Sequence, residues 1–283
     1  MGDCKFCGKP VGFLRSAHAE CEKQNQQRQR LAEHGRQQIL VEVIKSIESA
    51  EPFETLDKNI AEIEGTYSIP VSDRKSILLA GWESAVSRAL ADGILTEQEE
   101  ERLVIFKDRF ALTQNELDRN GALTKTAKAA VLRELLNGKI PQRMNFTGIP
   151  PINLQKGEQI VWAFSKTEYF QDKTRRQYVG SSRGVSVRVM RGVYLRTGEF
   201  KGHSVEHTER VHVDTGWFFV TNKNVYFAGP RASVRVPYAK IVSFQPFSDG
   251  VGIMRDAATA KLQAFNTGDG WFTFNLVTNL AQL

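Results

Sequence analysis

The stretch Val211-His212-Val213-Asp214-Thr215-Gly216-Trp217-Phe218-Phe219-Val220-Thr221-Asn222-Lys223-Asn224-Val225-Tyr226-Phe227 decides the architecture of the last third of the chain. β-Branched and aromatic residues fill two runs on either side of the polar Thr221-Asn222-Lys223-Asn224. That is the composition of two strands joined by a hairpin turn. The same texture continues outward. Ile160, Trp162 and Phe164 alternate upstream, as do Val185, Val187 and Val189, then Val193 and Leu195, with Arg175–Gly184 read as a loop between strands. Downstream come Val234, Val236, Ile241-Val242 and Phe244. Period-two runs cut by Gly, Asn and Asp predict antiparallel strands. The closing Phe272–Leu280 reads equally as a helix or a strand. Pro150-Pro151 marks where this region begins, because neither proline can continue a preceding helix.

Upstream of those prolines the period changes from two to three and four. Ser72-Asp73 offer a cap for a helix over 72–93, where Ile77-Leu78, Trp82, Ala85-Val86 and Ala89-Leu90 form one stripe and Gly93 ends it. A second helix starts at Thr96, with Glu99 three residues later completing a capping box. A third is expected near Lys125–Leu136, ending at Asn137-Gly138. Gly93-Ile94-Leu95-Thr96 and Gly121-Ala122-Leu123-Thr124 echo each other, which two similar helix starts explain without a repeat. Further back, Ile39-Leu40, Val43-Ile44 and Ile47 need a packing partner, whereas Glu22–Arg30 is polar throughout and reads as an exposed arm.

Two of these regions resemble known families. Ala91-Asp92-Gly93-Ile94-Leu95-Thr96-Glu97-Gln98-Glu99-Glu100 resembles the acidic turn of TerB-like helical domains. The resemblance implies that Asp92, Glu97 and Glu100 help hold a divalent cation, although the second acidic turn of that family is replaced here by Arg119-Asn120-Gly121. A capping box whose carboxylates complement the helix dipole explains the same residues without a metal. Asp214–Phe227 resembles the Gly-x-Leu-x-x-Thr-Asn-x-Arg-hydrophobic-x-Phe hairpin of GRAM and bacterial PH-like domains. Val236-Pro237-Tyr238-Ala239-Lys240-Ile241 is similar to their isoleucine-proline-x-x-x-isoleucine turn. Trp217-Phe218 stand in place of the usual leucine-tyrosine, and Asn224 in place of the arginine. The resemblance implies a seven-stranded bent sheet closed by a C-terminal helix, but no particular ligand.

All three cysteines of the 283-residue chain lie at its start, in the pattern Cys4-x2-Cys7-x10-His18-x2-Cys21. Two pairs of soft ligands, each spaced by two residues, wrap a tetrahedral Zn²⁺. Gly8 suits the tight turn after Cys7, and His18 and Cys21 read as neighbours on the first turn of a helix. The arrangement resembles treble-clef zinc fingers. Four protein ligands fill the coordination sphere, so this zinc is expected to be structural. The expected fold class is therefore α+β and multidomain. It comprises a zinc finger over 1–25, a helical arm over 26–50, a TerB-like helical domain over 51–144 and a PH-like antiparallel sheet domain over 152–283.

With 41% hydrophobic residues the chain has enough apolar content for a core, and no run is long enough to cross a membrane. The start lacks a signal-peptide pattern, so a cytoplasmic location is expected. The formal net charge is +6, with 38 Lys+Arg against 32 Asp+Glu. It is concentrated in residues 166–201, where Lys166, Lys173, Arg175, Arg176, Arg183, Arg188, Arg191, Arg196 and Lys201 face three acids, Glu168, Asp172 and Glu199. Arginines on glycine- and serine-rich backbone make a cradle for phosphate or carboxylate, whereas solvent-facing arginines that guard a strand edge are the plainer reading.

Catalytic patterns are sparse. His203, His207, His212 and Asp214 are the nearest thing to a metal-hydrolase set, and no P-loop, Gly-x-Ser-x-Gly, dinucleotide fingerprint or His-Glu-x-x-His occurs. The sequence is read as a non-enzymatic bacterial adaptor that recognises an acidic protein surface or another anionic ligand. By analogy with the company these modules keep, it belongs to a stress-response or phage-conflict system. Two alternatives stand beside it: a nucleic-acid binder using the finger with Lys5, Lys9 and Arg15 and the arm, and a peripheral binder of an anionic membrane surface through Arg175 and Arg176.

Overall fold

The computed structural model describes residues 2–12, 15–91, 93–145, 148–190 and 193–283, with side chains throughout except over 173–208. The chain divides into two compact units, Met1–Arg133 and Glu134–Leu283. Together they are α+β, with seven α-helices and one seven-stranded antiparallel sheet among the described residues.

The first unit opens with a small knuckle, in which Asp3 and Pro10 form an isolated antiparallel bridge. Helix α1 (Ala19–Glu48) follows, then α2 (Phe53–Tyr67), α3 (Val71–Ala89), α4 (Glu97–Arg109), the short α5 (Gln114–Leu117) and α6 (Ala122–Leu136), within which the division between the units falls. Apolar residues at helical spacing build one core from Ile39, Val43 and Ile47 of α1, Leu56 and Ile60 of α2, Trp82 and Val86 of α3, and Leu103 and Phe106 of α4. The Trp82 indole N–H donates to the Leu103 carbonyl oxygen (3.1 Å), so its polar edge is satisfied inside that core. Helices α1 and α3 approach closely because position 81 is glycine, where a Cβ would press on Val43 Cγ1. Arg102 closes the end of α1, donating to the carbonyl oxygens of Ser46 (2.5 Å) and Glu51 (2.9 Å) and stacking 4.0 Å over the Phe53 ring.

Several boundaries differ from the sequence expectation. Helix α3 is entered through Pro70 rather than capped by Ser72 or Asp73, and the Asp73 carboxylate instead pairs with Arg36 of α1 (2.7 Å). Helix α6 begins at Ala122, not near Lys125, because Asp118 reaches forward to accept from the Thr124 backbone N–H and hydroxyl, both at 2.8 Å. The capping box of Thr96 and Glu99 is present, and Thr113 and Glu116 form a second one at α5.

The second unit is a sheet in the order β4-β3-β2-β1-β7-β6-β5. Its strands are β1 (Ile160–Met190), β2 (Val193–Thr221), β3 (Asn224–Ala228), β4 (Ser233–Pro237), β5 (Ile241–Pro246), β6 (Gly250–Arg255) and β7 (Gln263–Asn266). The Thr221–Asn224 segment is the β2–β3 hairpin turn, and the Pro237–Ile241 segment is a 3₁₀ turn between β4 and β5. Aromatic rings fill the interior: Tyr169 and Phe218 both stack on Phe265, at 5.0 and 4.8 Å between centroids. The closing segment resolves as a helix, α7 (Gly270–Leu280), capped by Asp269, whose carboxylate accepts from the Phe272 N–H (3.1 Å). Phe272, Leu276 and Leu280 recur every fourth residue and are buried. Arg175–Gly184 is not a loop. These residues continue β1, paired in antiparallel register with His207–Gly198 of β2, so the separate strands expected around 185–189 and 193–195 belong to one long ladder.

Candidate metal centre

The knuckle is held by backbone hydrogen bonds before any metal is considered. The Cys4 N–H donates to Lys9 O and the Gly8 N–H to Cys4 O, both at 2.8 Å, and Gly8 takes a φ of +68° that suits glycine. The Lys5 N–H donates to Ser16 O (3.0 Å), which brings the segment before α1 back onto the turn. Cys4, Val11 and Ala17 are buried together under Phe6, a core too small to stand alone. His18 is the N-cap residue of α1, with extended backbone, and Cys21 lies in the helix's first turn. Of the pair expected on one turn, one residue is therefore just outside the helix and the other just inside.

The result is convergence. One ligand atom from each of Cys4, Cys7, His18 and Cys21 lies within 4.8 Å of the others. Among the described residues no other group of three or more His, Cys, Asp or Glu side chains converges in this way. His18 Nδ1 is 3.4 Å from Cys7 Sγ and 3.9 Å from Cys21 Sγ, while Nε2 lies 3.1 Å from Pro10 O. A carbonyl oxygen can only accept, so Nε2 carries the proton and the Nδ1 lone pair faces the thiols. A backbone carbonyl that fixes the tautomer of a ligating histidine is the usual outer partner of a metal site.

The charge balance of the cluster points the same way. Burial pushes the Cys4 thiol up, but the Phe6, His18 and Cys7 backbone N–H groups and the Cys7 side chain overcome it and bring the value down to about 6. Cys21 moves the other way: burial, and then Cys7 and Cys4 beside it, push it up to about 11. One thiolate is favoured, and a further one is opposed by its neighbours. A divalent cation among them removes that opposition. The donor set of three sulfurs and one imidazole nitrogen fits a tetrahedral soft-metal site with no open position.

The other residues singled out by sequence lie elsewhere. Glu97 is exposed, Glu99 is occupied in its capping box, and Glu100 pairs with Arg133 (2.5 Å), which also donates to Leu95 O (3.0 Å). Asp92, the remaining member of the acidic turn, lies outside the described residues. The side chains of Lys173, Arg175, Arg176, Arg183, Arg188 and Arg196, and the whole of Arg191, also lie outside them, as do the side chains of His203 and His207. His212 bonds Thr215 Oγ1 (3.0 Å), and the buried Asp214 accepts from the backbone N–H groups of Thr215, Arg231 and Ala232 at 2.7–2.9 Å. Asp214 therefore holds the β3–β4 turn.

Sequence reasoning missed a buried carboxylate. Glu158 accepts from Thr221 Oγ1 (2.5 Å), Asn224 Nδ2 (2.7 Å), Tyr226 OH (2.8 Å) and the Gln155 N–H (2.7 Å). Burial raises its pKa, but these donors outweigh burial and hold it below the usual glutamate range, while burial and Glu158 push Tyr226 up to about 12. The signal was half visible: Thr221, Asn224 and Tyr226 stood in the hairpin run, whereas their acceptor is more than sixty residues upstream. No known protein family matches this chain, and no curated protein does either.

Proposed function

We propose that this chain is a non-enzymatic binding protein in which a structural zinc orders a treble-clef-type finger at residues 1–25 and the basic stretch of the second unit engages an anionic partner. One observation carries the binding role: residues 166–201 hold a charge excess equal to that of the whole chain, and the described ones among them lie on β1 and β2. Zinc is favoured over other divalent metals by three thiolates and one imidazole at tetrahedral spacing. Seven antiparallel strands followed by a closing helix, with a 3₁₀ turn at Pro237–Ile241, support a GRAM- or PH-like identity for 152–283. The helices between α2 and α6 support a TerB-like reading of 51–144, with 26–50 as the helical arm. The Glu100–Arg133 pair favours a structural role for the acidic turn. The working context is a bacterial cytoplasmic adaptor in a stress or phage-conflict system, by analogy with proteins built from such modules.

The test is retention on immobilised heparin, a generic polyanion, with metal analysis of the same preparation. The expected result is one zinc per chain and elution well above physiological salt. Replacing Arg175 and Arg176 with Glu is expected to move elution to lower salt while zinc content stays constant. Passage through the column at low salt overturns the anion-binding role.

A further inference from the structure

The ladder between β1 and β2 outruns the sheet that contains it. Strand β7 pairs with β1 at Glu168–Gln171, and β3 pairs with β2 at Trp217–Val220. From Lys173↔Glu209 to Met190↔Val193 the two strands pair with each other, and no third strand joins them among the described residues. At about 3.3 Å per residue this two-stranded ribbon is roughly 60 Å long. A ribbon of two strands gains little by itself in water, so a partner laid along it has stability to contribute.

The chemistry of that partner is written in the register. Lys173, Arg175, Arg176, Arg183 and Arg188 fall on β1, Arg196 and Lys201 on β2, and Arg191 between the strands in sequence; Glu199, Glu206 and Glu209 are the acids of the same stretch. Eight cations against three anions leave +5. The cations occupy the base, the middle and the tip of the ribbon instead of one spot. A charge drawn out along a line complements a linear polyanion, and a B-form duplex carries one negative charge per about 1.7 Å of axis. Six of the eight are arginine, the side chain that grips phosphate in bidentate fashion. A second copy of the same ribbon would bring like charge against like charge.

The backbone fits as well. The major groove of B-form DNA, about 12 Å wide, admits a two-stranded β-ribbon. Gly180 is the register partner of Gly202, and Gly184 of Gly198. Four residues apart along a strand, the two pairs share one face of the ribbon. At both levels that face has no Cβ, so backbone can come close to a phosphate or a base edge.

We propose that the β1–β2 ribbon is an arm that lies in the major groove of double-stranded DNA. The proposal rests on the anion-binding reading above and narrows it to one ligand and one element. It is tested on the full zinc-loaded chain by fluorescence anisotropy with a labelled 30-base-pair duplex across 50 to 200 mM salt. Affinity is expected to fall about 10³-fold or more over that range, as for six or more neutralised phosphates. Arg175→Gln with Arg176→Gln should lower the salt slope by about two. A shortened chain in which Gln177–Val205 is replaced by Asn-Gly keeps every strand pairing made to β3 and β7, and should lose binding more than tenfold while its thermal unfolding stays cooperative with an unchanged midpoint. Double-stranded RNA, whose deep major groove is closed to side chains, should bind more weakly. Retention on heparin without duplex binding overturns the arm and leaves the anion-binding reading standing, and so does binding to phosphatidylserine vesicles instead of DNA. Duplex binding that survives the shortening but is lost with Lys5, Lys9 and Arg15 changed to Gln overturns the arm in favour of the finger. No retention on any polyanion overturns both.

Discussion

His18 divides its two ring nitrogens between separate duties: Nε2 is spent on Pro10 O, and Nδ1 faces the thiols, where it could ligate a metal ion. His18→Ala removes a ligand and the strut that aims it together. Metal affinity should fall roughly 100-fold or more, beyond what the loss of an outer partner costs, as read by competition with a chromogenic chelator. His18→Cys restores a soft donor without the carbonyl strut and should recover part of that loss. Glu158 permits a different prediction, about pH. Its folded pKa is held below the ordinary glutamate range. The unfolded chain therefore binds the proton more readily, so the contribution of Glu158 to stability is complete above about pH 4.5 and is lost as pH falls through the lower folded value. Glu158→Gln keeps the shape but sets an amide N–H₂ against the donors of Thr221, Asn224 and Tyr226, and should lower stability by about 2 kcal/mol at pH 7. Comparing urea midpoints of wild type and variant at pH 7 and pH 3 checks both points, since the difference should shrink in acid.

At the scale of elements, two helical glycines with opposite surroundings show what packing adds to propensity. Gly81 of α3 faces Val43 of α1 with no room for a methyl group, whereas Gly65 of α2 has open space where its Cβ would stand. Gly81→Ala is expected to destabilise the first unit by about 1–3 kcal/mol through overpacking, and Gly65→Ala to stabilise it by about 0.5–1 kcal/mol through helix propensity. Thermal melts of the two variants should shift in opposite directions, and a fall for both would refute the packing argument. The contrast also shows which elements sequence could reveal. The Thr96–Glu99 box, the Thr221–Asn224 turn and the Cys-x2-Cys knuckle were legible because the interactions that make them span a few residues. Helix α2 went unread because its stripe of Phe53, Leu56 and Ile60 ends on the buried Glu64, whose charge is met by Arg74 from α3. The segment Arg175–Gly184 read as a loop because Gly180, Ser181, Ser182 and Gly184 carry turn chemistry. What makes them a strand is cross-strand register with Gly198–Gly202, which no local pattern states.

Across the whole molecule, the Cys/His cluster and the apolar cores serve different parts of the chain. The four ligands span residues 4–21, and the buried residues around them are Cys4, Val11 and Ala17. That cluster has little apolar area of its own, so a metal held by the four side chains would contribute to its folding. Helix α1 links the two regimes, because Cys21 sits in its first turn while Ile39, Val43 and Ile47 belong to the bundle core. The second unit contains none of the ligands and is filled by its own rings, among them Phe218, Phe227, Phe265 and Phe272. Removing the metal with a strong chelator should therefore act locally. Hydrogen exchange should accelerate across residues 2–21 and along the exposed first turns of α1, and should stay unchanged from Ile39 to the end of the bundle and throughout β3–β7 and α7. Zinc restored in stoichiometric amount should return the protection. Deprotection that spread into the core around Phe265 would mean that the finger is part of the folding unit of the sheet, and the division at Arg133 would then fail as a division of stability.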